Sequence, residues 1–311
     1  MKVIIKHAYT RTRTGGLIFY TVKDYLVFFT LFCTIARKHS IRVLGLCLMY
    51  DHIHILVEIL SESQLTALVR ECTSRYAISF NLSSGRSGQV FDKSFGHATK
   101  VGGKKVRTTI VYLYNNPVEK KLVRKAEEYR WNFLAYYKNP YPFSKPINKK
   151  TARAVLRKAV SEVDDALRNN RPLSYTMLNR LMAKLNSEEK NQLTDYITSK
   201  YNCIDYEAAI AYFSSYENML TAIHSNTGSE YDIKEITTKG DDKIYARMSK
   251  ALLEHGETVR SKRVISLSRE EKLKFAQMLY GYTQGSQEQL DKFLWLSNKR
   301  ITKRRPKAGG A

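Results

Sequence analysis

Cysteine is scarce in this chain: four in 311 residues, at Cys33, Cys47, Cys72 and Cys203. None falls in a C-x-x-C pair or at a zinc-like spacing, so the pattern offers neither a redox motif nor a structural zinc site. Each lies in an apolar or mixed segment and reads as a small buried hydrophobe. Long apolar runs are missing as well. The best of them, Tyr25–Ala36, is interrupted too soon to span a bilayer, and Met1–Lys6 is too short and too charged for a signal peptide. The expectation is a soluble protein of a reducing, cytoplasmic compartment. No internal repeat is visible. Acidic residues are the third shortage: 29 Asp and Glu stand against 52 Lys and Arg, a net charge of +23. That imbalance points to a polyanionic partner, nucleic acid before membrane.

The excess charge is unevenly placed. Residues 1–150 carry 25 basic and 9 acidic side chains, a net of +16, and the last fifteen residues carry 6 and none. Residues 151–296 are nearly balanced, with 21 against 20. A run of surface charge is ordinarily a solvated face. It does not explain why the middle of the chain lacks the excess.

The first 137 residues read as strands interleaved with helices. Lys2–Thr10, Arg42–Leu48, His52–Ile59 and Val90–Thr99 are β-rich, and Met49-Tyr50-Asp51 reads as a hairpin between the middle two. Thr21–Lys38 has Thr21 as N-cap and an apolar stripe through Tyr25, Phe28, Phe29, Phe32 and Ala36. Ser63–Asn81 is a second helix, followed by the flexible composition of residues 81–88. A third begins near Lys104 and is expected to stop at Pro117. This order predicts an α+β fold, an antiparallel sheet flanked by helices. Pro140, Pro142 and Pro146 mark a linker over 138–150. From 151 to 311 the pattern is helical: Thr151–Arg168, Tyr175–Leu185, Ser187–Tyr201, Tyr206–His224, Asp242–His255, Arg269–Tyr280 and Gln287–Leu296. The last two flank a Gly-containing turn and read as a helix-turn-helix over 269–296 beside a basic tail. Its second helix would hold Gln287, Gln289, Lys292 and Asn298.

The residues able to do chemistry start with Asp51-His52-Ile53-His54. In an extended segment side chains alternate, so His52 and His54 share a face while Ile53 and Ile55 take the other. Two imidazoles on one face of a strand supply two ligands to a divalent metal and leave positions open for substrate oxygens, although such a pair in a strand is more often structural. In the helix after Gly103, residues four apart share a face: Lys104, Thr108, Tyr112 and Asn116. The apolar stripe is offset through Val106, Ile110, Leu113 and Tyr114, so Tyr114 belongs to the packing side. Among 21 tyrosines, Tyr112 is set apart by Asn116, whose amide oxygen makes a third metal ligand. Two imidazoles, an amide and a phenol suit phosphodiester cleavage, the metal offsetting phosphoryl charge and the tyrosine attacking phosphorus. Free tyrosine has a pKa of about 10, so the phenol needs help from the metal or a base.

At this point the resemblance becomes specific. His52-Ile53-His54 resembles the His-hydrophobic-His motif of HUH endonucleases. Tyr112-Leu113-Tyr114-Asn115-Asn116-Pro117-Val118 is similar to the Tyr-x-x-x-Asn-Pro-Val segment of REP-associated tyrosine transposases, relatives of the single-tyrosine insertion-sequence transposases. Asp24-Tyr25, Leu48-Met49 and Gly88-Gln89-Val90-Phe91 fall in the matching order, and the similarity covers about residues 1–137. It implies that His52, His54 and Asn116 bind Mg²⁺ or Mn²⁺. It also implies that Tyr112 cleaves single-stranded DNA beside a hairpin, leaving a 5′-phosphotyrosine and a free 3′-OH. DNA contacts are expected from Lys104, Lys105 and Arg107 and from Lys299, Arg300, Arg304 and Arg305 in the tail, in a monomer or homodimer. The chain departs from the family with Tyr50-Asp51 where Pro-Asn is common, with Ser94 where a basic residue is usual, and with Tyr114 for a frequent His. A second reading, from a different class, is a nucleic-acid-binding regulator that keeps the fold without cleaving.

Overall fold

The structure is a computed structural model that describes residues 3–13, 15–225, 241–255 and 263–296. The basic tail beyond Leu296, and Asn298 with it, lies outside the described residues. Four strands, β1 (Ile4–Arg11), β2 (Arg42–Leu48), β3 (His52–Ile59) and β4 (Gly96–Thr99), form one antiparallel sheet in the order β2-β3-β1-β4. The α+β expectation holds. The ladder sets Tyr9 opposite His54 and Arg11 opposite His52. On the other side, β3 pairs Cys47 with His54, beyond a bulge between Val43 and Gly45.

β4 is shorter than the pattern over Val90–Thr99 suggests. Phe91 bridges Thr12, and Asp92 N donates to Arg11 O at 3.0 Å. The chain then leaves the ladder over Lys93–Phe95 and re-enters at Gly96.

Helix α1 (Val22–Lys38) starts where Thr21 was expected to cap it. The Asp24 carboxylate, in the first turn, accepts from the backbone N–H of Tyr20 at 3.0 Å and of Thr21 at 2.8 Å. This satisfies donors that a helix start otherwise leaves open. α2 (Glu62–Ser84) runs three residues further than its apolar pattern, because Ser84 turns inward and its hydroxyl bonds Phe80 O at 2.6 Å. α3 (Gly103–Glu119) passes through Pro117 instead of stopping there. A proline costs one helical hydrogen bond. Here the loss falls in the last turn, where Asn115, Asn116 and Pro117 are buried and packing offsets it.

α3 crosses the sheet face that carries Gly45 and the histidines; a Cβ on Gly45 would meet Leu113 at 3.3 Å. The opposite face, with Ile53, Ile55 and Val57, is buried too, and α1 and α2 pack on one another and contact β2 and β3 there.

The second half is helical among the described residues: α4 (Ala154–Arg168), α5 (Tyr175–Met182), α6 (Ser187–Tyr201), α7 (Tyr206–Ile210), α8 (Tyr216–His224), α9 (Lys243–His255), α10 (Arg269–Thr283) and α11 (Gln287–Leu294). The single helix expected over 206–224 is two. Ser214 takes a φ of 70°, and Ser215 starts α8 by accepting Asn218 N on its hydroxyl. Residues 138–150 contain no helix or strand. They are nevertheless held to α6 by the buried Asp195 carboxylate, which accepts from Phe143 N at 3.0 Å and Ser144 Oγ at 2.8 Å. α1 therefore has cover on both sides: the sheet and α2 inside, α5 and α6 outside, with Leu173 N donating to Thr30 Oγ1 at 3.0 Å. A single apolar core runs through both halves. Arg263 and Tyr175, from the second half, both reach Asp24 at the start of α1. Among the described residues, no helix is long and apolar enough to cross a membrane.

Candidate active site

β3 and α3 bring together the four residues singled out in the sequence. His52 and His54, two apart on β3, present their Nε2 atoms to one amide, that of Asn116. His52 Nε2 lies 3.3 Å from Asn116 Oδ1, and His54 Nε2 lies 3.3 Å from Asn116 Nδ2. One turn back on α3, the Tyr112 hydroxyl accepts from the same Asn116 Nδ2 at 3.3 Å. Tyr112 also stands edge-on to the His54 ring, with centroids 5.4 Å apart. All four side chains are buried.

The other nitrogen of each imidazole is held from behind. His52 Nδ1 meets Asp51 Oδ1 at 2.7 Å, and His54 Nδ1 meets His7 Nε2 at 3.2 Å. A metal ligated through Nε2 needs the ring proton on Nδ1, where these partners accept it. Burial, reinforced by the neighbouring His52 and His7, pushes His54 well below the ordinary histidine range, so it is neutral at neutral pH. Burial alone would raise the Asp51 carboxyl. The His52 imidazole and the Lys292 ammonium, 2.5 Å from Asp51 Oδ2, instead hold it well below the usual carboxylate range.

Two imidazole nitrogens gathered on one side-chain amide offer a donor set whose chemistry fits a divalent first-row ion or Mg²⁺ with positions left open. Among the described residues, no three His, Cys, Asp or Glu side chains converge to hold a metal. The third donor here is an amide, which fits a weakly held catalytic ion better than a structural one.

The remaining expected residues are placed differently. Lys104, Lys105 and Arg107 are exposed at the far end of α3, about 12 Å along the axis from Tyr112 for Lys104. Lys299, Arg300, Arg304 and Arg305 lie outside the described residues. Tyr114 is fully buried and its hydroxyl has no hydrogen-bond partner among the described residues. Burial pushes its phenol up, with Tyr216 and Cys47 adding to the effect. The two α-helices of the expected helix-turn-helix are present as α10 and α11. Lys292, expected near the tail, instead reaches Asp51 beside the histidines.

Sequence reasoning passed over His7 and Tyr9. Tyr9 packs its ring against both His52 and His54, at centroid distances of 5.5 and 5.2 Å. The available signal was the alternation of β1, which puts His7 and Tyr9 on one face. Only the pairing register shows that this face is the one His52 and His54 share.

The sheet thus presents paired histidines to a tyrosine-bearing helix. Residues 11–116 match the family model described as "Transposase IS200 like". A solved structure, described as that of the REP-associated tyrosine transposase bound to a REP hairpin, is similar over 42% of this chain and 76% of that one. The identity is 14% and the TM-score 0.37. No curated protein sequence matches the chain.

Proposed function

We propose that this protein is a metal-dependent endonuclease and strand transferase for single-stranded or hairpin DNA that works through a covalent 5′-phosphotyrosine. The observation that carries the reading is the Asn116 amide, which lies 3.3 Å from both imidazole Nε2 atoms and from the Tyr112 hydroxyl. A nucleophile and a candidate ligand set thus share one side chain. The chemistry belongs to residues 1–137, joined through 138–150 to an accessory helical part at 151–311.

Tyr112 attacks phosphorus. The bond from its oxygen forms as the bond from phosphorus to the 3′ oxygen breaks. The phenol loses its proton, the departing oxygen ends as a 3′-hydroxyl, and the downstream strand stays on Tyr112 as a 5′-phosphate ester. Asn116 fixes the phenol by donating to its oxygen. His54 and His52, each held through Nδ1, keep Nε2 turned toward the Asn116 amide. His52, His54 and Asn116 would hold a Mg²⁺ or Mn²⁺ ion, which would supply stabilisation of the charge that builds on the phosphoryl oxygens. Tyr9 and His7 wall off the rear of the site. Polyanion affinity comes from the basic first half, including Lys104, Lys105 and Arg107, and from Lys299, Arg300, Arg304 and Arg305 in the tail.

The test is incubation with 5′- and 3′-labelled hairpin DNA and Mn²⁺, followed by a denaturing gel. A metal-dependent covalent adduct that Tyr112→Phe removes is expected. DNA binding with no adduct under any metal would favour a non-cleaving regulator instead.

A further inference from the structure

We infer that Lys292, on α11 of the helical second half, is a positioning residue of the metal centre that acts through Asp51 on His52. The inference rests on the ligand assignment proposed above. The chain of contacts is short. Lys292 Nζ lies 2.5 Å from Asp51 Oδ2, and Asp51 Oδ1 lies 2.7 Å from His52 Nδ1. His52 Nε2 then faces Asn116 at 3.3 Å. Each Asp51 oxygen has its own partner, so the carboxylate is pinned at both ends and cannot rotate without breaking one contact.

The cation comes from the second half. Asp51 is four-fifths buried and Lys292 nearly nine-tenths, with side-chain exposures of 19% and 11%. A buried carboxylate that loses its cation becomes an uncompensated charge and turns toward water. Its hold on the His52 ring then weakens. Partners behind a metal-ligating histidine typically change metal affinity by about 10–100-fold when removed.

α11 is docked firmly enough to deliver Lys292. Tyr20 Oη donates to Phe293 O at 2.7 Å, and Trp295 Nε1 donates to Leu17 O at 3.1 Å. The Trp295 ring lies so close to Gly16 that a Cβ there would overlap it. Leu290, Phe293 and Leu294 are buried beneath the helix. Lys292 is therefore carried on a helix anchored at the next residue and again three residues on. A solvent-exposed lysine of a DNA-reading helix would have neither the burial nor the carboxylate.

The experiment measures Mn²⁺ affinity of the full chain without DNA, by electron paramagnetic resonance or calorimetry. It compares wild type, Lys292→Met, Lys292→Arg, Asp51→Asn and the double variant Lys292→Met/Asp51→Asn, each checked for a native thermal transition. Met keeps the stem that packs and removes the charge. Lys292→Met is expected to weaken Mn²⁺ binding by about 10-fold or more, and Lys292→Arg to recover most of it. Hairpin binding in EDTA should not change. In the Asp51→Asn background, Lys292→Met should add little, since the path is already cut. Wild-type Mn²⁺ affinity in Lys292→Met, or an equal loss in both backgrounds, overturns the inference. His54→Ala separates the two readings: if wild type binds Mn²⁺ and His54→Ala does not, the ligand assignment stands whatever Lys292→Met shows. If His54→Ala leaves Mn²⁺ binding intact, both fall.

Discussion

Tyr112 and Tyr114 differ by one hydroxyl environment, and removing each hydroxyl should move activity and stability in different directions. The Tyr112 hydroxyl accepts a long hydrogen bond, 3.3 Å from Asn116 Nδ2, and the ring stands edge-on to His54 and His7. Tyr112→Phe should therefore cost only about 0.5–1 kcal/mol. With about 2–4 °C per kcal/mol for a chain of this size, the melting midpoint falls by no more than about 4 °C. The covalent adduct should vanish, because phenylalanine has no oxygen to attack phosphorus. Tyr114 is the opposite case. Its hydroxyl is fully buried without a partner among the described residues, an arrangement that costs about 1–3 kcal/mol. Tyr114→Phe removes that cost, so the midpoint should hold or rise by a few degrees while adduct formation is unchanged. Both variants are read by thermal unfolding and by a denaturing gel with labelled hairpin DNA and Mn²⁺, and mass spectrometry locates the modified peptide. An adduct on Tyr114, or one that survives in Tyr112→Phe, would refute the helix register and the assignment resting on it.

Replacing His52 or His54 with Ala should abolish Mn²⁺ binding and cleavage yet leave most DNA affinity, which phosphate contacts supply; a titration with and without EDTA reads both. Asp242 is held up to about 6 from 3.8, first by burial and then by the Asp51 charge. The folded state thus binds its proton more tightly than the unfolded one, so the contribution is present below about pH 4 and lost as pH rises through about 6. Asp242→Asn should stabilise the protein at pH 8 by up to roughly 3 kcal/mol and make no difference near pH 4, by urea unfolding at the two pH values; an equal gain at both would exclude the titration. Cys33 Sγ and Cys203 Sγ stand 3.0 Å apart, so mild diamide treatment should consume two thiols and leave a cross-linked chain under non-reducing conditions. Cys203→Ser should prevent it, and failure of the wild type to cross-link would contradict the packing of α1 on the second half.

Local pattern carried some of this molecule and long-range pairing carried the rest. β2 and β3 were legible to the residue because alternation and a three-residue turn define a hairpin with no help from elsewhere. The i,i+4 relation of Tyr112 and Asn116 was legible for the same reason. His7 was not, because alternation gives it a face but only the ladder to β3 says which neighbours share it. The sequence flagged Asp51 as a departure from a common Pro-Asn, yet its cation sits on α11 at Lys292, far along the chain and across a tertiary contact that no periodicity encodes. The break between α7 and α8 escaped because the apolar pattern continues through it, while α7 ends at Ile210 and Ser214 and Ser215 lead into the next helix. The proline-rich stretch has no helix or strand, and nothing in its composition announced that a buried Asp195 would hold it.

Tyr112 and Asn116 ride on the same rigid rod, one helical turn apart, while His52 and His54 ride on another. The separation inside each pair is set by backbone pitch and is indifferent to how the rods move. Everything variable about the site therefore reduces to the pose of α3 over the sheet. α3 leaves the chain at Gly102, whose φ of 82° is a conformation few residues but glycine adopt, with open space where a Cβ would be. A tilt of α3 about that point would carry attacking oxygen and amide away together, like a stylus lifted from its plate. A substitution that stiffens this pivot would consequently shift how often the site is assembled and leave its internal dimensions as they are.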